Sequence, residues 1–482
     1  MNLPEAFAQY TKGLLGEEGY EKLASAIAQE PAVSIRTNPL KPLDEAIAGE
    51  RVAWSDYGIY LDDRLTFTFD PLFHAGCYYV QEASSMFVER ALRSYAGSEP
   101  VKMLDLCAAP GGKSTHALSV LPEGSLLVSN EVMRNRAQIL AENITKWGAP
   151  ATVVTNNDPS DFTPLTSFFD IILTDVPCSG EGMFRKDEVA ISEWSEENVE
   201  TCWQRQRRII SDIWPALKPG GLLIYSTCTF NTKEDEENVS WIAEEFGAEI
   251  LPVDTEESWG ITGNLLPGSD FPVYRFIPGR TRGEGFFLAV LRKPEGEDEE
   301  EAPRLKADKK RNKKQNGGGK GKTQPTVSKA QLAEAAEWVK SDAGLTLVAD
   351  ELNISALPTD YIDDIEILKQ NLKVMQAGVS IGEVKGKDIL PSHALAMSSA
   401  LRSDAFERCE IEYDRAIAYL RKEAIALPSE VSRGYVMLTY RDIPLGFVKN
   451  VGNRANNLYP QEWRIRSGYL PDVIKISLMA RT

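Results

Sequence analysis

The stretch VKMLDLCAAPGGKSTHAL, residues 101–118, sets the reading of the whole chain. An apolar run gives way to small residues and two glycines, and helix-like spacing begins directly afterwards. A strand that turns into a helix through such a loop brings its backbone close to a ligand at the carboxyl edge of a parallel sheet. Gly112-Lys113-Ser114 invites comparison with a phosphate-cradling loop, but that pattern needs glycine where Cys107 stands. The loop is read as holding a nucleotide-like molecule, against the plainer alternative of a tight turn with no ligand.

Outward from this loop, residues from about 100 to 294 alternate short apolar runs with amphipathic stretches, the rhythm of an α/β doubly wound sheet. VKMLDL, SLLVSNE, TVVTNND, FDIILTDV, GGLLIYSTC and GFFLAVLRK are the predicted strands. STHALSVL, RNRAQILAENITKWG and the run from Ser195 to Ala216 are the predicted helices. Glu131 ends the second strand, Asp158 the third, and Asp175 lies in the fourth, so three acids project toward one edge. That edge repels an anionic dinucleotide and suits S-adenosylmethionine, which has no phosphate and carries positive charge. LKPGGLLIYS, with its Lys-Pro-Gly-Gly turn into the fifth strand, resembles the class I methyltransferase fold.

Cys178 follows the fourth strand in TDVPCSGEG and Cys228 ends the fifth in YSTCTF, so adjacent strands bring both thiols to the crevice of the loop. A lone buried cysteine is more often packing, but paired thiols beside a cofactor loop favour chemistry. Carbon 5 of cytosine is a poor nucleophile until a thiolate adds to carbon 6. Asp175 is placed to contact ring nitrogen 3 and the exocyclic amine, and a second thiol can assist release. An exocyclic-amine methyltransferase would be expected to show Pro-Pro-aromatic in place of VPCSG. Chemistry alone leaves open which thiol attacks.

CAAPGGKS, DVPCSGEG and STCTF, in that order, with HAGCYYVQEASSM at residues 74–86, resemble the NOP2/Sun, or RsmB/RsmF, family of RNA cytosine-5 methyltransferases. The resemblance implies that Cys228 attacks and Cys178 aids product release. It implies cofactor contacts at Cys107, Ala108, Ala109, Pro110, Gly111, Gly112 and Lys113, completed by Glu131, Asp158 and Asp175; Arg136 is a further candidate that also reads as a surface residue. The tail LGFVKNVGNRANNLYPQEWRI resembles the PUA-like end of the RsmF branch, which implies 16S rRNA, near its decoding region, as substrate. Transfer RNA, or a non-catalytic role in ribosome assembly, are the alternatives.

The expected organisation is an RNA-positioning α+β module over 1–95, a methyltransferase domain over 96–294, a charged linker over 295–326, an α+β subdomain over 327–395 and a PUA-like RNA-binding domain over 396–482. The 482 residues are too many for one core. A net charge of -18 requires any RNA-binding surface to be local. Arg36, Arg185, Lys186, Lys449, Arg454 and Arg464 are candidate phosphate contacts, although a solvated charge is the simpler reading of each. The target base is expected to be unstacked. Six cysteines with no CxxC pair exclude a disulfide framework and a structural zinc site. No apolar run spans a bilayer and the start lacks signal-peptide zones, so a monomeric, cytoplasmic protein with neither membrane nor metal partner is expected.

Overall fold

The computed structural model describes residues 3–296, 326–471 and 473–477, so the charged linker expected over 295–326 falls almost wholly outside the described residues. At the centre is a nine-stranded sheet. Its parallel strands run in the spatial order Leu217–Thr227, Phe169–Asp175, Lys102–Asp105, Leu126–Asn130 and Thr152–Thr155. Phe286–Arg292 adds antiparallel to Leu217–Thr227 and is itself flanked by Glu249–Leu251 and Tyr274–Phe276. All six strands read from the apolar rhythm are present. Their side chains are buried on both faces, as in Leu126, Val128, Leu173 and Leu223, because helices cover the sheet above and below. The chain winds from Lys102–Asp105 first one way and then the other, so a crevice opens at the carboxyl ends of Lys102–Asp105 and Phe169–Asp175.

The N-terminal region carries helix Glu5–Ile27 and an antiparallel sheet of Glu50–Arg51, Gly58–Leu61, Val33–Thr37 and Tyr78–Val80. After the linker come a second antiparallel sheet, from Leu345–Asp350 to Asp388–Pro391, and a mixed sheet in which Glu407–Glu410 runs parallel to Gly434–Tyr440 while Ile443–Asn450 and Ala455–Asn457 follow antiparallel. The N-terminal and final modules share one core, in which Ile35, Leu72 and Tyr78 meet Tyr419, Leu438 and Tyr459.

The segment over 327–395 does not stand wholly apart. Helix Ile362–Asn371 places Ile365 and Leu368 on one face, and together with Leu372, just past its end, they join the central core beside Phe162 and Phe169. The next strand, Val374–Ala377, pairs antiparallel with Thr152–Thr155 and closes that edge of the central sheet. No helix among the described residues is long and apolar enough to cross a membrane.

Candidate active site

Strand Lys102–Asp105 hands over to the loop 107–111, and helix Gly112–Val120 starts at once. Gly111 takes φ 113°, and a Cβ there would lie 3.3 Å from Leu140 Cδ1, so glycine fits both the left-handed turn and the close packing. The loop lines a cavity of about 190 Å³ with Asp105, Cys107, Ala108, Ala109, Pro110, Gly112, Lys113 and Asp175; Tyr79, Gln81, Glu82 and Ser85 close it from the N-terminal module.

Asp105 was not singled out from the sequence, although it ends the first strand. It is fully buried, and its Oδ2 accepts from Ser114 Oγ at 2.6 Å. Its Oδ1 has no hydrogen-bond partner among the described residues, and burial pushes its pKa up to about 7. Such an orphaned acceptor suits a ligand that brings a cationic donor. Lys113 Nζ donates to Asp175 Oδ2 at 2.8 Å, and Ser226 Oγ donates to Oδ1 at 3.0 Å. Burial works against the Lys113 charge, but the attraction of Asp175 outweighs it and raises the pKa of the ammonium. Burial also pushes the Cys107 thiol well up, which makes it a wall of the cavity rather than a nucleophile.

Glu131 lies at the neighbouring strand end and accepts from Met133 N at 2.8 Å. Arg136 bridges it at 3.3 Å to the loop, donating to Ala109 O at 2.8 Å. Asp158 is more exposed and caps the short turn Pro159–Phe162, accepting from Ser160 N at 3.1 Å. The structure thus brings the residues read from the sequence to one edge, with Asp158 at its outer end.

Strands Phe169–Asp175 and Leu217–Thr227 pair with Asp175 opposite Ser226, so the residues just beyond them meet. Cys178 Sγ and Cys228 Sγ are 3.1 Å apart. The contact with Cys228, and then burial, raise the Cys178 pKa well above its ordinary value, so this thiol keeps its proton at neutral pH. Gly182 N donates to Cys228 O at 2.7 Å, and Ser179 Oγ and Thr229 Oγ1 share a hydrogen bond of 2.9 Å. A Cβ on Gly182 would sit 2.5 Å from Cys228 O, which explains a glycine at this approach.

Two buried carboxyls tie the loops together. Glu181 accepts from Phe230 N at 2.7 Å and Trp194 Nε1 at 3.0 Å. Glu234 accepts from Ser179 N at 3.0 Å, Gln206 Nε2 at 2.7 Å and Asn231 Nδ2 at 2.8 Å. Burial pushes Glu234 up to about 7. The folded chain therefore holds a proton there that the unfolded chain has lost, so stability falls as pH climbs from 4.5 to 7. Glu234→Gln, neutral throughout, is expected to flatten that fall in thermal melts, with a residual slope left by Asp105. An unaltered slope would place the proton elsewhere.

Arg36, expected among the phosphate contacts, is instead buried. Its guanidinium donates to Gln81 Oε1 at 2.8 Å, Thr115 Oγ1 at 2.6 Å and Gly112 O at 3.3 Å, and it lies 4.2 Å from the centre of the Trp147 ring. It fastens the N-terminal sheet to the helix that follows the loop, and no phosphate reaches it. Arg185 is also turned inward, 3.5 Å from Glu284, whereas Lys186 and Arg454 are exposed and Arg464 is half-buried. Lys449 faces Asp388 at 3.4 Å. Among the described residues no group of three or more His, Cys, Asp or Glu is placed to hold a metal ion.

Three family models match in chain order: the N-terminal domain of 16S rRNA methyltransferase RsmF over residues 3–83, 16S rRNA methyltransferase RsmB/F over 95–292, and the methyltransferase RsmF PUA domain over 406–465. Ribosomal RNA small subunit methyltransferase F of Klebsiella pneumoniae (strain 342) is 30% identical over 486 residues, covering 97% of each chain. Among solved structures, a methyltransferase homolog from Pyrococcus horikoshii aligns over 60% of this chain and 95% of its own, with 26% identity and a TM-score of 0.52. NSun6 from the same organism, at 21% identity over 61% of this chain and 99% of its own, shares the fold with a TM-score of 0.50. With its central domain, both flanking modules and nearly its whole length matched in order, the chain belongs to the RsmB/F family of 16S rRNA methyltransferases.

Proposed function

We propose that this methyltransferase moves the methyl group of S-adenosylmethionine to carbon 5 of a cytosine in small-subunit ribosomal RNA, near the decoding region, through a bond between that base and Cys228. The observation that carries the reading is the 3.1 Å contact of two thiols at adjacent strand ends, on the edge that also holds the loop 107–113. The donor set suits the cofactor: the orphaned oxygen of Asp105 and the carboxylates of Asp175 and Glu131 offer acceptors to a cationic ligand without phosphates. The loop 107–113, Glu131, Arg136 and Asp158 would hold it. When bound, it supplies an electrophilic methyl carbon.

Cys228 adds as thiolate to carbon 6 and raises the electron density at carbon 5. Asp175, oriented by Lys113 and Ser226, accepts hydrogen bonds from the exocyclic amine and the protonated ring nitrogen. The proton on methylated carbon 5 then passes to solvent water as the sulfur–carbon bond breaks, and Cys228 leaves as a thiolate that the protonated Cys178 thiol, 3.1 Å away, stabilises by donating a hydrogen bond. Gly182 and Glu234 hold the two loops in register throughout.

The test is methyl transfer from labelled S-adenosylmethionine to small ribosomal subunits and to naked 16S rRNA from a deletion strain, followed by nucleoside digestion. Label in 5-methylcytosine at a single region of 16S rRNA is expected. Label in another nucleoside, or in transfer RNA alone, would overturn the reading.

A further inference from the structure

The loop Asn156-Asn157-Asp158 is held by a residue 216 positions further along the chain. Lys373 N donates to Asn157 Oδ1 at 3.0 Å, and Lys373 O accepts from Asn156 N at 3.0 Å and Asn157 Nδ2 at 3.3 Å. The Lys373 side chain adds a fourth bond, Nζ to Asn156 Oδ1 at 2.7 Å. Asn156 passes the restraint on, its Nδ2 donating to Glu131 O at 2.8 Å and Val132 O at 2.9 Å. Asn157 passes it inward through Asn130, which accepts from Asn157 N at 3.0 Å and donates to Leu106 O at 3.1 Å, one residue before the loop that begins at Cys107.

We infer that Lys373 is a positioning residue for the part of the methyl donor held at Glu131 and Asp158, so that a segment from beyond the linker supports the cofactor site of the central domain. This rests on the proposed reading of Glu131 and Asp158 as donor contacts. The lysine touches neither thiol and stands at the opposite end of the strand-end row from Cys178 and Cys228, so its effect falls on donor affinity and spares the chemical step. The segment itself is anchored independently, by Ile365, Leu368 and Leu372 in the core and by the pairing of Val374 with Thr155. Truncating the lysine therefore removes only the Nζ bond to Asn156 Oδ1 and leaves the three backbone bonds and the docking of the strand in place.

The experiment is calorimetric titration of S-adenosylhomocysteine into the full chain, beside steady-state kinetics and thermal melts. Lys373→Ala is expected to weaken binding roughly three- to tenfold, the value of one hydrogen bond. kcat at saturating donor, the KM for RNA and the melting temperature are expected to stay at wild-type values. Asn156→Ala, which removes that link together with the Nδ2 bonds to Glu131 O and Val132 O, should cost at least as much, and Lys373→Arg should restore most of the loss seen in Lys373→Ala. Unchanged donor affinity in Lys373→Ala overturns the inference, as does an equal loss of RNA affinity, the mark of a general loosening. Failure of the wild-type chain to bind the probe would overturn the donor reading itself, and the inference with it.

Discussion

Cys228→Ala will abolish both methyl transfer and the covalent protein–RNA complex, whereas Cys178→Ala will let that complex accumulate. The first loss should reach on the order of 10⁴-fold or more in kcat, because no second nucleophile is at hand. Cys107, Cys77 and Cys202 are all pushed up by burial, Cys77 to about 12 and Cys202 to about 11, so none of them supplies a thiolate near neutral pH. Cys178 is closer but holds its proton, because Cys228 beside it and its own burial both resist ionisation. Without Cys178, addition and methylation proceed and the product remains attached. Gel shift after denaturation, with labelled RNA and S-adenosylmethionine, reads both outcomes. Adduct in Cys228→Ala and none in Cys178→Ala would show that the two roles are exchanged.

Arg275→Ala is expected to lower the free energy of unfolding by about 3–5 kcal/mol, the cost of stranding buried charge. Arg275 is 1% exposed and meets Asp235 at 3.0 Å, with Glu236 as its second carboxylate. It also donates to Phe230 O at 2.8 Å, while Asp235 accepts from Thr227 Oγ1 at 2.6 Å. The group thus stands directly behind the turn that carries Cys228. Alanine leaves two buried acids without their counter-charge, and they shed that penalty only at the cost of taking up protons. Urea titration followed by tryptophan fluorescence measures the loss. A change below about 1 kcal/mol would mean that the acids lie neutral and need no counter-charge.

Much of this architecture was legible because it rests on local pattern. The run Val101–Leu106 followed by glycines can only be a strand that turns tightly, and five more apolar runs at similar spacing make a parallel sheet. Strand ends then place Cys178 beside Cys228 with no knowledge of the coordinates, since parallel neighbours in register carry their following residues to one edge. The features that escaped the reading depend on partners distant in sequence. Arg36 looks like any basic residue on a half-exposed strand, and only the folded chain shows Thr115 and Trp147 around it. Arg275 lies in the short strand Tyr274–Phe276, outside the runs read from the sequence, and only the folded chain sets it against Asp235 and Glu236. Lys373 gives no signal at all, because its bonds to Asn156 and Asn157 run largely through its backbone.

The antiparallel cover over Thr152–Thr155 also has a meaning in time. A ribosome making this protein releases Asn157 some 216 residues before Lys373. At ordinary elongation speeds that interval is roughly 10–40 s, during which the newborn sheet presents a naked, hydrogen-bond-hungry border. The nascent chain is thus the stage at which this enzyme is most apt to stick to its neighbours, and chaperone attendance during synthesis would act chiefly on that border.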